Sequence, residues 1–182
     1  MLRFAYIVSM PGLDPVSFAG TYVNRASMNR IVGVDLEAAG FEQTQEVVES
    51  LVGEGYTLFN FCSGFEEADL DRLRDAIGGD VRMACASYFP EEEKKLGDFS
   101  HYGIIVQMAG VEDNTGIPVH GDAFETSAIF VKDMAGARTA AKQLVKDGAT
   151  FIELCSWFDA DRTREIIAAI DGRVPVGSCG IR

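Results

Sequence analysis

The sequence predicts an α/β protein built from two tandem repeats, and two observations carry the prediction. The first is a duplication. Sliding the chain by 93 positions lays residues 47–81 on 140–174 without a gap, and Leu51, Val52, Gly55, Thr57, Cys62, Ser63, Phe65, Ala76, Ile77, Gly79 and Val81 all meet identical residues. Ordinary composition would give about two or three such identities by chance. The second is the alternation, in each half, of short apolar runs with amphipathic stretches of helical period, which is the pattern of parallel strands joined by helical crossovers.

The elements follow from the residues in order. Residues 5–10 (A-Y-I-V-S-M) read as a strand followed by the loop P-G-L-D-P, with residues 103–108 (G-I-I-V-Q-M) as its counterpart. Residues 16–28 are expected to hold a short helix at most, because Gly20 and a mixed pattern weaken it. Residues 111–125, rich in Gly, Asn, Asp and Pro, read as a long loop carrying His120, and long loops in compact domains are often functional. Residues 29–34 and 127–132 are second strands. Asp35 and Asp133 are the expected N-caps of the helices that follow. Residues 57–65 and 150–158 are third strands. The helices 66–77 and 159–170 end at Gly79 and Gly172, and residues 81–87 and 174–179 are fourth strands.

Repeat one therefore spans 1–90 and repeat two 103–182, with a charged connector over 91–102, and the two are expected to form one globular unit. Eight strands in equal halves favour a compact (β/α)8-like barrel with a pseudo-two-fold axis; the alternative is two packed open sheets, one per repeat.

Composition narrows the class. With 182 residues, 47% hydrophobic and 24% charged, the chain has the profile of a globular domain with a proper core. No apolar run approaches the roughly 20 residues of a membrane helix, and the amino terminus reads as a strand rather than a signal peptide, so a cytoplasmic location is expected. The net charge of −12 argues against nucleic acid and anionic membranes as partners. Cys62, Cys85, Cys155 and Cys179 form no C-x-x-C pair, and disulfides are not expected.

The third strand carries the candidate chemistry. In T-F-I-E-L-C-S-W-F, alternation puts Glu153 and Cys155 on one face, and in T-L-F-N-F-C-S-G-F it does the same for Asn60 and Cys62. A carboxylate inside such an apolar run is costly to bury without a partner. Glu153 is therefore the leading candidate, with Cys155 and His120 as catalytic companions and Asn60, Cys62, Trp157 and Ser178 as substrate-binding positions. Strand ends in parallel α/β folds are where such groups gather. His101, which precedes its strand, is placed at the opposite end.

The pattern also resembles a family of small bacterial proteins known only as a domain of unknown function. P-G-L-D-P stands at 11–15, and L-V-K-D-G, I-E-L-C-S-W-F and V-P-V-G stand at 144–148, 152–158 and 174–177. Asn60 replaces the family-like glutamate in repeat one, the loop has become A-G-V-E-D in repeat two, and Phe18 stands near the place where a histidine often follows that loop in the family pattern. The resemblance implies an architecture in which single repeats pair, and weight on the Glu-Cys strand, but no substrate.

Two classes of function remain open. The favoured one is a small-molecule enzyme in which Glu153 is general acid or base, in isomerase, lyase or hydrolase chemistry. Asn60 would hold a substrate oxygen and His120 would be the acid. The other is a non-catalytic small-ligand or assembly module, for which Trp157 would be a platform. No cofactor is expected. Cys62, Cys155, Glu153 and His120 would suit zinc, but no spacing supports a metal site. The expected partners are a small-molecule ligand and, compatibly, further copies of the chain.

Overall fold

The computed structural model describes residues 1–120 and 125–181, with the side chains of Pro118 and His120 also outside the described residues. The chain divides into two units after Cys85. The first contains β1 (Leu2–Ser9), β2 (Ala19–Val23), β3 (Ser27–Val34), α1 (Gly40–Gly53), β4 (Leu58–Phe61), α2 (Glu67–Ile77) and β5 (Arg82–Cys85). The second contains β6 (Ser87–Tyr88), α3 (Pro90–Glu93), β7 (His101–Gln107), β8 (Thr115–His120), β9 (Glu125–Val131), α4 (Met134–Lys146), β10 (Phe151–Leu154), α5 (Ala160–Ala169) and β11 (Val176–Ser178).

The strands form two open sheets, ordered β2-β3-β1-β4-β5 and β6-β11-β10-β7-β9-β8. This corrects the barrel expectation. In a (β/α)8 barrel each strand lies beside its predecessor, whereas here β3 pairs with one side of β1 and β4 with the other, and β9 and β10 flank β7 in the same way. Such an order spreads outward from a central strand and does not close. The pairs β1–β3, β1–β4, β4–β5, β7–β9, β7–β10 and β10–β11 are all parallel.

Three further expectations change. Residues 16–28 contain no helix: β2 pairs antiparallel with β3, because Thr21, Tyr22 and Val23 gain a ladder there that local propensity could not reveal. The long loop over 111–125 is interrupted by β8, which lies beside β9. The first long helix also starts later than Asp35 suggests. Asp35 accepts hydrogen bonds from the Ala38 and Gly12 backbones at 2.9 and 2.7 Å, capping a turn and fixing the P-G-L-D-P loop, and α1 begins at Gly40.

The other caps fall where the residues place them. Asp133 accepts from the Gly136 N–H at 3.0 Å and Asp159 from the Arg162 N–H at 2.9 Å, while Glu66 and Asp69 form a reciprocal capping box on α2. In the second unit α4 packs on β7 and β9 and α5 on β11. Gly103 makes room for α4, since a Cβ there would meet Leu144 Cδ1 at 3.0 Å. Gly103, Ile152 and Leu154 thus face the helices, and Tyr102, Phe151 and Glu153 face the other way.

Equivalent backbone geometry supports the duplication. Gly55 and Gly148, 93 positions apart, follow equivalent helices with φ of +89° and +95°, a region where a Cβ is strained. Gly148→Ala is expected to cost about 1–2 kcal/mol in urea unfolding. Gly53→Ala, a residue with open space around it and a helical setting, should be neutral or mildly stabilising.

Candidate active site

Glu153 is fully buried, with 0% exposure, in the middle of a strand whose neighbours are apolar. Its two oxygens are met by phenols from two directions. The Tyr88 hydroxyl donates to Oε1 at 2.9 Å and the Tyr102 hydroxyl to Oε2 at 2.5 Å. Tyr102 is directly opposite Phe151 in the ladder, and the two rings stack at 4.6 Å with a 4° interplanar angle. Phe99 packs edge-on against Phe151 at 5.2 Å. The aromatic row holds the phenol at the carboxylate.

Tyr88 arrives by a different route. Residue 177 lies between Glu153 and Tyr88 in the ladder, and a Cβ there would meet the Tyr88 ring at 2.6 Å. Gly177 therefore opens the passage over which the ring reaches Glu153. The segment carrying Tyr88 is held to β11 downstream as well: buried Glu92 accepts from the Val176 N–H at 3.1 Å and from Lys95 Nζ at 2.6 Å.

The first repeat lacks every part of this arrangement. By ladder register Tyr102, Glu153 and Gly177 correspond to Phe4, Asn60 and Ala84. The hydroxyl, the carboxylate and the missing Cβ have changed together. Asn60 is fully buried and donates from Nδ2 to the Phe59 carbonyl at 3.1 Å.

The two repeated cysteines keep a common geometry. Cys62 Sγ accepts from the Ser9 N–H at 3.2 Å and the Gly64 N–H at 3.3 Å. Cys155 Sγ accepts from the Gln107 N–H at 3.4 Å. Each sulfur thus lies at the carboxyl ends of the central strands, between β1 and β4 in one unit and between β7 and β10 in the other. That is where strand order reverses, and open parallel sheets take ligands there. Burial pushes the Cys155 thiol from 9.0 up to about 11, against the opposing pull of the Trp157 and Gln107 backbone groups. At neutral pH Cys155 is a thiol, a hydrogen donor rather than a nucleophile.

The remaining expected residues are placed as follows. Glu153 lies in β10 and Cys155 one residue beyond its end, and their hydrogen bonds run toward opposite ends of β7, to Tyr102 near its start and Gln107 at its end. The Trp157 ring carries the Arg162 guanidinium at 4.3 Å. The Ser178 hydroxyl is committed to the fold, donating to the Phe158 carbonyl at 2.6 Å and accepting from the Gly180 N–H at 3.0 Å. The His120 side chain lies outside the described residues. His101 stands at the start of β7, 3.3 Å from Ser127 Oγ. Among the described residues no three His, Cys, Asp or Glu side chains are grouped to hold a metal ion, and no helix is long and apolar enough to cross a membrane.

The sequence singles out Glu153 but not Tyr88 or Tyr102. The ungapped repeat begins at residue 47, so the Phe4 to Tyr102 exchange lies outside it. Two measurements check this geometry. Tyr102→Phe leaves a buried carboxylate short of a donor and is expected to cost about 1–3 kcal/mol in urea unfolding. The raised Cys155 pKa means the folded state holds this proton more tightly than the unfolded chain. Its contribution is fully present below about pH 9 and lost as pH rises toward about 11; Cys155→Ala should flatten that alkaline decline.

Comparison with known proteins gives one family. A family model described as "Family of unknown function (DUF6506)" matches twice, over residues 2–101 and 100–182, in keeping with the resemblance carried by P-G-L-D-P, I-E-L-C-S-W-F and V-P-V-G and with a tandem duplication. No curated protein matches. A solved structure, "Structure of unliganded arylmalonate decarboxylase", is similar at 13% identity and a TM-score of 0.33, covering 99% of this chain and 88% of that one; likeness of that degree carries no argument about this protein.

Proposed function

The chain belongs to DUF6506, a family of unknown function, in two consecutive copies, and from that premise we propose that its second unit is a small-molecule enzyme working by proton transfer through Glu153. The observation that carries this reading is the Tyr88–Glu153–Tyr102 cluster. A carboxylate with no exposure, held by two phenols of which one reaches it over Gly177, is an expensive arrangement for a strand that a hydrophobic residue would fill at less cost. The neutral Asn60 at the equivalent position of the first unit supports this reading.

The chemistry is that of a general base and acid. In its carboxylate form Glu153 takes a proton from a carbon next to a carbonyl or carboxylate group. The C–H bond breaks, an O–H bond forms on Glu153, and the electron pair stays with the substrate as an enolate; return of a proton completes the cycle. The two phenols steady the carboxylate while its charge changes. Cys155, as a neutral thiol at the strand end, would donate a hydrogen bond to a substrate oxygen, with Trp157 beside it.

A second reading, non-catalytic binding, is favoured by one feature. A surface groove of about 450 Å³ runs between α4 and β9, lined by Ser127, Ile129, Thr139, Gln143 and Leu144 among others, within the usual size of small-ligand sites.

The test is deuterium wash-in. A panel of small 2-oxo, 2-hydroxy and 2-amino acids is incubated with the protein in D2O and followed by proton NMR. Exchange at the carbon beside the carboxyl or carbonyl group is expected for at least one compound, and Glu153→Gln should abolish it while leaving the circular dichroism unchanged. Exchange that survives in Glu153→Gln contradicts the assignment. Ligand binding without exchange, blocked by Thr139→Trp, would favour the groove.

A further inference from the structure

The edge of the first sheet points to a partner. β2 is an edge strand, and its residues alternate exposed and half-buried, with Ala19, Thr21 and Val23 outward and Val23 51% exposed. The hydrogen bonds flanking β2 fix which groups are used. The Gly33 N–H donates to the Phe18 carbonyl at 2.8 Å and the Asn24 N–H to the Ser27 carbonyl at 3.0 Å. Even-numbered residues therefore turn their backbone groups to β3, and Ala19, Thr21 and Val23 turn theirs away from the sheet.

An edge of this kind is normally blunted by charge, proline, a bulge or shortness. The other edges have such devices. β6 has two residues, β5 begins with exposed Arg82, and β8, the counterpart of β2, contains Pro118. β2 has none. Residues 16–24 (V-S-F-A-G-T-Y-V-N) carry no charge, in a chain with 28 acidic and 16 basic residues.

We propose that β2 is a homodimerisation edge, pairing antiparallel with β2 of a second copy about a two-fold axis at Thr21. The chemistry selects a second copy. The outward row has three members whose midpoint is Thr21, so only a register that sets Thr21 opposite Thr21 and Ala19 opposite Val23 uses every outward group. That register is self-complementary, exchanges about six backbone hydrogen bonds, and places no like charges opposite each other, which an acidic chain otherwise finds hard to arrange with itself. The two five-stranded sheets become one continuous sheet across the axis. A closed two-fold contact stops at the dimer. The paired edge is short of a standard interface area, so the dimer is a weak, reversible one.

Sedimentation equilibrium of the full chain from low to high micromolar tests this, with Thr21→Lys and Thr21→Pro alongside. Both substitutions fall on an exposed edge position that tolerates them, and circular dichroism checks that each variant folds. The wild type is expected to show a reversible monomer–dimer equilibrium, weakened about tenfold or more in both variants, and slower amide exchange at Thr21 at high concentration. A monomer at every concentration, a dimer of unchanged affinity in both variants, or assembly beyond the dimer would overturn the proposal.

Discussion

A carboxylate with no exposure in the central region of a parallel sheet must have hydrogen-bond donors, and the second unit is arranged around that requirement. Two phenols answer it, Tyr102 from the neighbouring strand β7 and Tyr88 from the short strand β6 beyond β11. Each needs its own support. Tyr102 is fixed by stacking on Phe151, and Tyr88 by the absence of a side chain at Gly177. The short helix after Tyr88 is anchored in turn by Glu92, a second buried carboxylate, which accepts from the Val176 N–H. Removing any one part strands the others, because a half-satisfied buried polar cluster is less stable than an apolar one.

The duplication explains why such a cluster exists in one unit alone. Two copies of one sheet order, β3-β1-β4-β5 and β9-β7-β10-β11, supply the same scaffold twice. The scaffold keeps what packing and turns require, including Gly55 with Gly148 and the paired sulfurs of Cys62 and Cys155. Between Phe4, Asn60, Ala84 and Tyr102, Glu153, Gly177 the copies differ as sets. Their outer edges differ as well, with Pro118 in β8 and no charged residue in β2.

Much of this architecture was legible in the residues because it rests on local signals. Alternation in F-I-E-L-C marked β10 and singled out Glu153, and Asp133 and Asp159 marked helix starts that the structure confirms. What was not legible depends on pairing at a distance. β2 and β8 owe their form to β3 and β9, and the (β/α)8 expectation failed because strand order is set by which side of β1 the chain returns to, a choice absent from periodicity. The partners of Glu153 lie 65 and 51 residues away. No spacing rule reaches that far, although a tyrosine beside an otherwise apolar strand start, Y-G-I-I-V, is a signal that a buried hydroxyl needs an acceptor.

The most direct test of the carboxylate clasp is a double-mutant cycle on stability with Glu153→Gln, Tyr102→Phe and the two combined, each measured by urea unfolding in the full chain. If the phenol and the carboxylate act as one unit, the cycle gives a coupling of about 1–3 kcal/mol, and the double variant is more stable than the sum of the single losses allows. Additivity within about 0.5 kcal/mol would show that the two groups are independent and would contradict the account.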